Sequence, residues 1–175
     1  MKALPNMKFI GAIVLVSVAI FSRLIPHLPN LTAIGGAALL AGATLRPRWM
    51  AFAVPMLALL ISDAVLGFYS GMIFNYLAWG LIVFAATYLA EKGWAYRLVG
   101  AFSASLLFFA ISNFGVWFAG GLYSFTFSGL TECYVMALPF FATQILGDLL
   151  FTGALFFVYD RLSGLQSHST APNIA

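Results

Sequence analysis

The sequence predicts an all-α fold, a polytopic membrane bundle of six transmembrane helices. The chain has 175 residues, of which 63% are hydrophobic and only 7% are charged. Soluble domains carry about 25% charged residues, so a soluble globule is excluded. The many aromatic residues and the single Cys133 exclude a disordered chain and a disulfide scaffold. The apolar runs are continuous, whereas a transmembrane β-barrel needs alternating polarity.

Six apolar runs have lengths close to the roughly 20 residues that a helix needs to cross about 30 Å of hydrocarbon. We expect helices at about residues 9–25, 31–45, 49–69, 72–90, 96–119 and 131–159. Charged residues, prolines and glycines set their limits: Lys2 and Lys8 before the first run, Arg46, Pro47 and Arg48 after the second, Glu91, Lys92 and Gly93 after the fourth, and Gly120 and Gly121 after the fifth.

Two of these helices are unusual. The second is short and rich in small residues, and the sixth is long enough to tilt or to kink at Pro139. We therefore expect residues 1–162 to form a single six-helix domain and residues 163–175 to form a flexible polar tail.

The basic residues predict the orientation of the bundle, because cytoplasmic loops carry an excess of lysine and arginine. With the N-terminus inside, the cytoplasmic side receives Lys2, Lys8, Arg46, Arg48, Lys92, Arg97 and Arg161. Only Arg23 then lies outside. Both termini are thus expected to be cytoplasmic. The net charge of +3 is spread singly between the apolar runs, which argues for topology and against a nucleic-acid partner.

Polar residues within the spans converge on the predicted outer half. Asp63 lies fourteen residues after Trp49, about 21 Å from the inner surface. A carboxylate at membrane depth costs about 2.5–3.5 kcal/mol and needs a partner, for which Arg23 is the candidate. That pair either only clamps the bundle or also contacts a ligand. Our candidates for a substrate-binding mouth are Arg23, His27, Asn30, Asp63, Tyr76, Asn113 and Trp117.

Three further features each have two interpretations. Asp148, expected near the inner third, makes either a packing hydrogen bond to a neighbouring Ser or Thr or acts as a coupling carboxylate. Cys133 is either an inert small hydrophobe or a ligand contact. Ala33, Ala37 and Ala41, spaced by four on one helix face, either pack within the bundle or dock a partner.

No nucleotide-binding or hydrolase motif is present, and no two histidines stand at ligand spacing. We therefore expect no enzyme, no metal and no cofactor. An apolar pocket with a few convergent polar groups is typical of a ligand site, which favours a transport protein that captures a small organic nutrient. The alternatives are an accessory membrane subunit without ligand, or an intramembrane enzyme that uses His27 and Asp63.

The segments SRLIPHLPN, LTAIGGAALLAGATL, RPRWMAFAVPMLALLISDAVLGF, SNFGVWFAGG and CYVMALPFFATQILGDLLF resemble a family of small bacterial integral membrane proteins of uncharacterised function. That family is similar in size and layout to the substrate-binding S components of energy-coupling-factor (ECF) vitamin transporters. The resemblance covers about residues 9–160. It implies a six-helix bundle in the bacterial inner membrane with a pocket for a vitamin-like molecule on its outer face.

The partners implied by this resemblance are a small-molecule ligand, the lipid bilayer and an ECF-type transmembrane and ATPase module, with self-association as the alternative. S components commonly dock on that module through alanines spaced by four on the first helix. Here the spacing occurs on the second helix instead, at Ala33, Ala37 and Ala41. The sequence is also compatible with a solitary transporter, as in S-component-like cobalamin transporters in which a cysteine approaches cobalt; Cys133 is the corresponding candidate.

Overall fold

A computed structural model describes residues 5–89 and 92–169 of the chain, and over these ranges it is helical without any strand. Its helices are α1 (Pro5–Leu24), α2 (Ile34–Thr44), α3 (Arg48–Leu66), α4 (Met72–Ala86), α5 (Trp94–Ala119) and α6 (Phe127–Ser169), with a 3-10 turn at Thr87–Leu89 after α4. All of these helices except α2 are long and apolar enough to cross a membrane. The chain is therefore a multi-pass helical membrane protein, and the predicted all-α bundle is confirmed.

The second helix differs from its prediction because it begins later and is too short to span. It has 11 residues, which correspond to about 16 Å, roughly half of the hydrocarbon thickness. Every residue from Ile34 to Ala43 is buried. α2 packs against α3, α4 and α6, with further contacts to α1 and α5. It is therefore a half-span at the centre of the bundle. The preceding segment, which contains Pro26 and Pro29, is not helical.

Small residues allow the backbone of α2 to lie close to the backbones of its neighbouring helices. A Cβ on Gly36 would lie 2.7 Å from the Phe151 carbonyl carbon, and one on Gly42 would lie 2.6 Å from the Val83 carbonyl oxygen. The stripe predicted for partner docking, Ala33, Ala37 and Ala41, is wholly inaccessible to solvent. Of its two interpretations, the structure shows internal packing, because a face without accessible surface offers nothing to a partner.

The helices alternate in direction, so that the bundle has two ends. The end that we call the Arg23 end contains Arg23 near the end of α1, Asp63 near the end of α3 and Tyr76 near the start of α4. The opposite end, the Arg97 end, contains Arg97 near the start of α5 and Asp160 far along α6, joined by a 2.6 Å ion pair. The prediction that the Arg97 end is cytoplasmic stays a prediction.

α6 is one uninterrupted helix that contains Pro139. It continues to Ser169, so residues 163–169 of the predicted tail are helical, whereas residues 170–175 lie outside the described residues. The charged residues Lys2 and Glu91, which limit the predicted first and fourth helices, also lie outside the described residues.

Candidate functional site

An ion pair between Arg23 and Asp63 ties α1 to α3 near one end of the bundle. Arg23 Nη2 lies 2.7 Å from Asp63 Oδ1, and Asp63 is fully buried. Arg23 Nη1 donates a 2.8 Å hydrogen bond to Ser62 Oγ, which itself donates to the Ala58 carbonyl oxygen. The predicted Arg23–Asp63 pair is confirmed, but one guanidinium nitrogen contacts the carboxylate and the expected bidentate contact is absent. Because the guanidinium forms two bonds to adjacent residues of α3, its position relative to that helix is fixed.

A second layer of polar residues from α4 completes the surroundings of Asp63. Tyr76 donates its hydroxyl to Asp63 Oδ2 at 3.1 Å. One residue earlier, Asn75 donates through Nδ2 to the hydroxyl of Tyr69 in the α3–α4 loop. Burial raises the pKa of Tyr69 above its ordinary value, and the negative charge of Asp63 raises it further. The Tyr69 phenol therefore stays protonated at neutral pH.

An internal cavity of about 90 Å³ lies beside this ion pair. All six helices contribute to it, together with the α1–α2 segment. Its lining consists of Arg23, Asn30, Thr32, Ile34, Leu59, Asn75, Trp79, Phe108, Gln144 and Asp148. Seven of these ten side chains carry a hydrogen-bonding or charged group. The bundle thus contains a polar, partly open space at the point where its helices converge.

Asp148 forms the deepest acidic group of this cavity and is 2% exposed. Ser105 donates its hydroxyl to Asp148 Oδ2 at 2.6 Å, and Gln144 Nε2 approaches the Ser105 carbonyl oxygen at 3.4 Å. The predicted hydrogen bond from a neighbouring Ser or Thr is therefore present.

The predicted depth of Asp148, near the inner third, was wrong. Its partner Ser105 lies eleven residues after Trp94 and fourteen before Ala119, close to the middle of α5. Depth had been counted as though α6 began at the membrane surface. Both α5, with 26 residues, and α6 exceed the roughly 20 residues that the hydrocarbon requires, so their ends extend beyond it.

The first turn of α2 lies directly against the Asp148 carboxylate. A Cβ on Gly35 would overlap Asp148 Oδ1, so only glycine leaves room for the side chain in this position. The N-terminus of a helix carries a partial positive charge that stabilises a nearby anion. The ion pairs among the described residues are Arg23–Asp63 and Arg97–Asp160, and neither involves Asp148. With Arg23 already paired, Asp148 is the acidic group of the described cavity lining that has no ion-pair partner among the described residues.

The residues predicted for a binding mouth fall into three groups: those that line the cavity, those that stand behind Arg23, and those that do neither. Arg23 and Asn30 line the cavity, and Asp63 and Tyr76 stand behind Arg23. His27 is exposed and pairs through Nδ1 with the Ile25 carbonyl oxygen at 2.7 Å. It therefore does not line the cavity.

Asn113 and Trp117 lie at the Arg23 end, but neither lines the cavity. Asn113 donates to the Phe109 carbonyl oxygen of its own helix at 2.8 Å, and Trp117 donates to the Ser124 carbonyl oxygen in the α5–α6 loop at 2.9 Å. Depth along the sequence placed them correctly at this end. Depth along a helix does not determine which face of α5 a residue occupies. For this reason Asn113 and Trp117 do not converge on the cavity as predicted.

Eight of the ten lining side chains were not among the predicted mouth residues, and for four of these eight the sequence does contain a signal. Asn75 and Trp79 are four residues apart on α4, and Gln144 and Asp148 are four residues apart on α6. This spacing places each pair on one helix face, directed at the same neighbour. Phe108, whose ring lies 4.8 Å from that of Trp79, has no such signal in a chain so rich in phenylalanine.

Cys133 is 2% exposed and donates to the Asn113 carbonyl oxygen, with an Sγ···O distance of 3.4 Å. It is absent from the cavity lining, in agreement with the interpretation of an inert buried thiol. Within the part of the chain that the structure describes, no cluster of three or more His, Cys, Asp or Glu residues is placed to hold a metal ion.

The fold and the cavity together define a multi-pass helical membrane protein with a polar internal site. The chain belongs to a family whose model matches residues 3–170 and is described as a family of unknown function (DUF6580). A search of curated proteins and a search of solved structures gave no match.

Proposed function

We propose that this protein is a membrane transport component that captures a small polar solute in the cavity beside Arg23. The observation that carries the proposal is the convergence of all six helices on a polar cavity that contains a carboxylate without an ion-pair partner among the described residues. Ionisable residues within the membrane are costly to insert and commonly mark substrate or ion pathways.

The charge distribution favours a particular class of solute. Arg23 is neutralised by Asp63, whereas Asp148 faces the cavity with only hydrogen-bond donors around it. A solute with an ammonium group or several hydrogen-bond donors complements such a carboxylate. The amides of Asn75 and Gln144 provide further polar contacts on the walls. We therefore assign the cationic or donor group of the solute to Asp148.

The cavity volume favours a small solute over a vitamin-like one. At about 90 Å³ it is smaller than the roughly 150 Å³ cavity that admits benzene in an engineered protein. Typical sites for larger organic ligands occupy about 300–1,000 Å³. A vitamin-sized ligand would require the non-helical segment before α2, which supplies Asn30 and Thr32, to move outward. The proposed uptake direction, from the Arg23 end, rests on the predicted orientation.

The alternatives receive less support. The accessory-subunit hypothesis rested on the small-residue face of α2, and that face is buried inside the bundle. The enzyme hypothesis needs His27 and Asp63 to act on one substrate. His27 is exposed, whereas both oxygens of Asp63 are engaged by Arg23 and Tyr76.

Native mass spectrometry of the full chain, purified in mild detergent, tests the proposal. We expect a small bound solute in the wild-type protein, and we expect Asp148→Asn to lose it. The matched control is Asn113→Leu, which removes a polar group from α5 at the same end but outside the cavity. That variant should retain the solute.

A second measurement covers the case in which the solute is lost during purification. Thermal stability of the detergent-solubilised protein is measured in the presence of small amines, amino acids and vitamins. We expect stabilisation by a small amine-bearing compound in the wild type and in Asn113→Leu, but not in Asp148→Asn. A protein that carries no solute and is stabilised by none of these compounds would contradict the proposal.

A further inference from the structure

A second, larger cavity lies at the Arg97 end, on the opposite side of the bundle from the site described above. Its volume is about 360 Å³, four times that of the first cavity. It is formed by the end of α2 with the residues that follow it, the 3-10 turn, the start of α5 and the last part of α6. Its described lining includes Thr44, Arg46, Leu89, Arg97, Phe156 and Tyr159. A space of this size accommodates a molecule larger than a few waters.

Two arginines face this cavity, and its described lining contains no carboxylate. Arg46 donates through Nη1 to the carbonyl oxygens of Gly42 and Leu45, at 3.0 and 2.7 Å. These bonds anchor its side chain at the end of α2 and use one of its three guanidinium nitrogens. Arg97 is paired with Asp160, so Arg46 is the positive group of the described lining that has no carboxylate partner, and an arginine fork matches the geometry of phosphate oxygens.

Arg97 is held rigidly at the same cavity. Its Nη1 lies 2.6 Å from Asp160 Oδ2, and its guanidinium carbon lies 4.5 Å from the ring centroid of Phe156 and 5.2 Å from that of Trp94. Nε of Arg97 is buried and has no hydrogen-bond partner. A buried donor without a partner is costly, but an atom without accessible surface cannot be reached by a ligand, so Nε is not counted as a ligand contact.

Apart from Thr44 and the Tyr159 hydroxyl, the remaining described walls of the cavity are apolar, which distinguishes it from a site for a free inorganic anion. Leu89 and Phe156 lie beside the two arginines, and Tyr159 adds an amphipathic ring. The cavity also lies where the spans end, and Lys92 follows its lining residue Leu89 by three positions. Arginines next to apolar walls at the end of membrane helices are suited to a lipid headgroup with its acyl chains attached.

We propose that this cavity, with Arg46 and Arg97 as its two anion-binding groups, binds the phosphate of an anionic phospholipid. The lipid phosphate accepts hydrogen bonds from both guanidinium groups, while Leu89 and Phe156 contact the glycerol and the first acyl carbons. The site is independent of the solute-binding proposal, because the two cavities share no lining residue.

The test uses the full chain in lipid nanodiscs and native mass spectrometry after release into detergent. The probes are phosphatidylglycerol, which carries an anionic phosphate, and a galactosyl diacylglycerol, which has the same type of tail and no phosphate. We expect the wild type to retain phosphatidylglycerol selectively. Arg46→Gln and Arg97→Gln should each weaken retention about tenfold, the loss expected for one charge-assisted hydrogen bond.

Arg161→Gln is the matched control, because Arg161 lies one residue after Asp160 at the same end, contacts the Phe157 ring at 4.9 Å and is absent from the cavity lining. It should retain phosphatidylglycerol as the wild type does. Equal losses in all three variants would show a general basic surface and overturn the proposal. Equal retention of the two lipids by the wild type would also overturn it.

Two further arms separate the remaining outcomes. Glycerol 3-phosphate is added as a competitor, at the same concentration as the phosphatidylglycerol. No displacement supports a lipid, whereas complete displacement identifies a soluble phosphate ester and overturns the lipid assignment. Because Arg97→Gln also breaks the ion pair to Asp160, its thermal stability is measured, and Arg46→Gln carries the test if Arg97→Gln does not fold. Unchanged retention in a folded Arg46→Gln variant would overturn the proposal.

Discussion

The Asp148 carboxylate occupies the volume that a side chain on Gly35 would need. This contact brings the start of a short central helix against the only acidic group in the lining of the Arg23-end cavity. The position of α2 and the position of the carboxylate therefore depend on each other. A change at either residue is expected to displace the other.

Gly35→Ala should destabilise the protein or displace Asp148, since the added methyl overlaps a carboxylate oxygen. Overpacking of a filled core costs roughly 1–3 kcal/mol. The matched control is Gly153→Ala on α6, where an added Cβ meets nothing within 4 Å. Thermal unfolding in detergent should show a lower midpoint for Gly35→Ala and an unchanged or higher one for Gly153→Ala. Equal midpoints would contradict the close contact.

Single substitutions in the Arg23–Asp63 pair should cost more than the double substitution. Asp63→Asn leaves Arg23 without its counterion, and Arg23→Gln leaves a fully buried carboxylate unpaired. Breaking one side of a buried pair costs about 3–5 kcal/mol, whereas removing both charges can be nearly neutral. A double-mutant cycle on thermal stability measures the coupling. Strictly additive effects of the two substitutions would show that the pair contributes no coupling energy.

Asp148→Asn should abolish solute binding while the fold is retained. Asparagine has nearly the same shape, and its side-chain oxygen can accept the hydrogen bond from Ser105. The measurements are the bound mass in native mass spectrometry and the unfolding midpoint of the same sample. If a solute is bound equally by the wild type and by Asp148→Asn, the carboxylate has no part in binding.

Asn75→Leu and Asn113→Leu form a matched pair. They test whether a residue must line the cavity, and not only lie near the Arg23 end, to affect solute binding. Both asparagines lie near the Arg23 end, but only Asn75 lines the cavity, whereas Asn113 bonds to its own helix. We expect at least several-fold weaker solute binding for Asn75→Leu and no change for Asn113→Leu. Titration of the solute identified by mass spectrometry provides the comparison. A larger loss of solute affinity in Asn113→Leu than in Asn75→Leu would place the site against the face of α5 that bears Asn113.

The sequence was sufficient to predict the helices that span, because continuous apolar runs and interrupting charges carry a strong signal. It was also sufficient to pair Arg23 with Asp63, since a membrane carboxylate needs a partner and few cations are present at that end. The sequence was insufficient to predict where α2 begins and that it is too short to span. Its composition resembles that of a spanning helix, and only the tertiary structure shows that the chain before Ile34 stays non-helical.

The composition of the cavity was only partly predictable for a similar reason. Counting residues along a helix gives an approximate depth but not a rotation about the helix axis. Asn113 and Trp117 were therefore assigned to the mouth, whereas Gln144 was overlooked. Hydrophobic periodicity normally resolves the rotation, but lipid-facing and bundle-facing side chains here are almost equally apolar. The spacing of the polar residues themselves was the usable signal.

The shortness of α2 has a consequence for how the protein is made. A segment of about 16 Å cannot hold itself across the bilayer during synthesis, because it covers only half of the hydrocarbon. It requires neighbours that surround it on every side. The Arg23–Asp63 pair joins the helices before and after α2, so its formation encloses the short helix between them. We therefore expect α2 to be held in the bilayer only once α3, α4 and α6, its main neighbours, are in place around it.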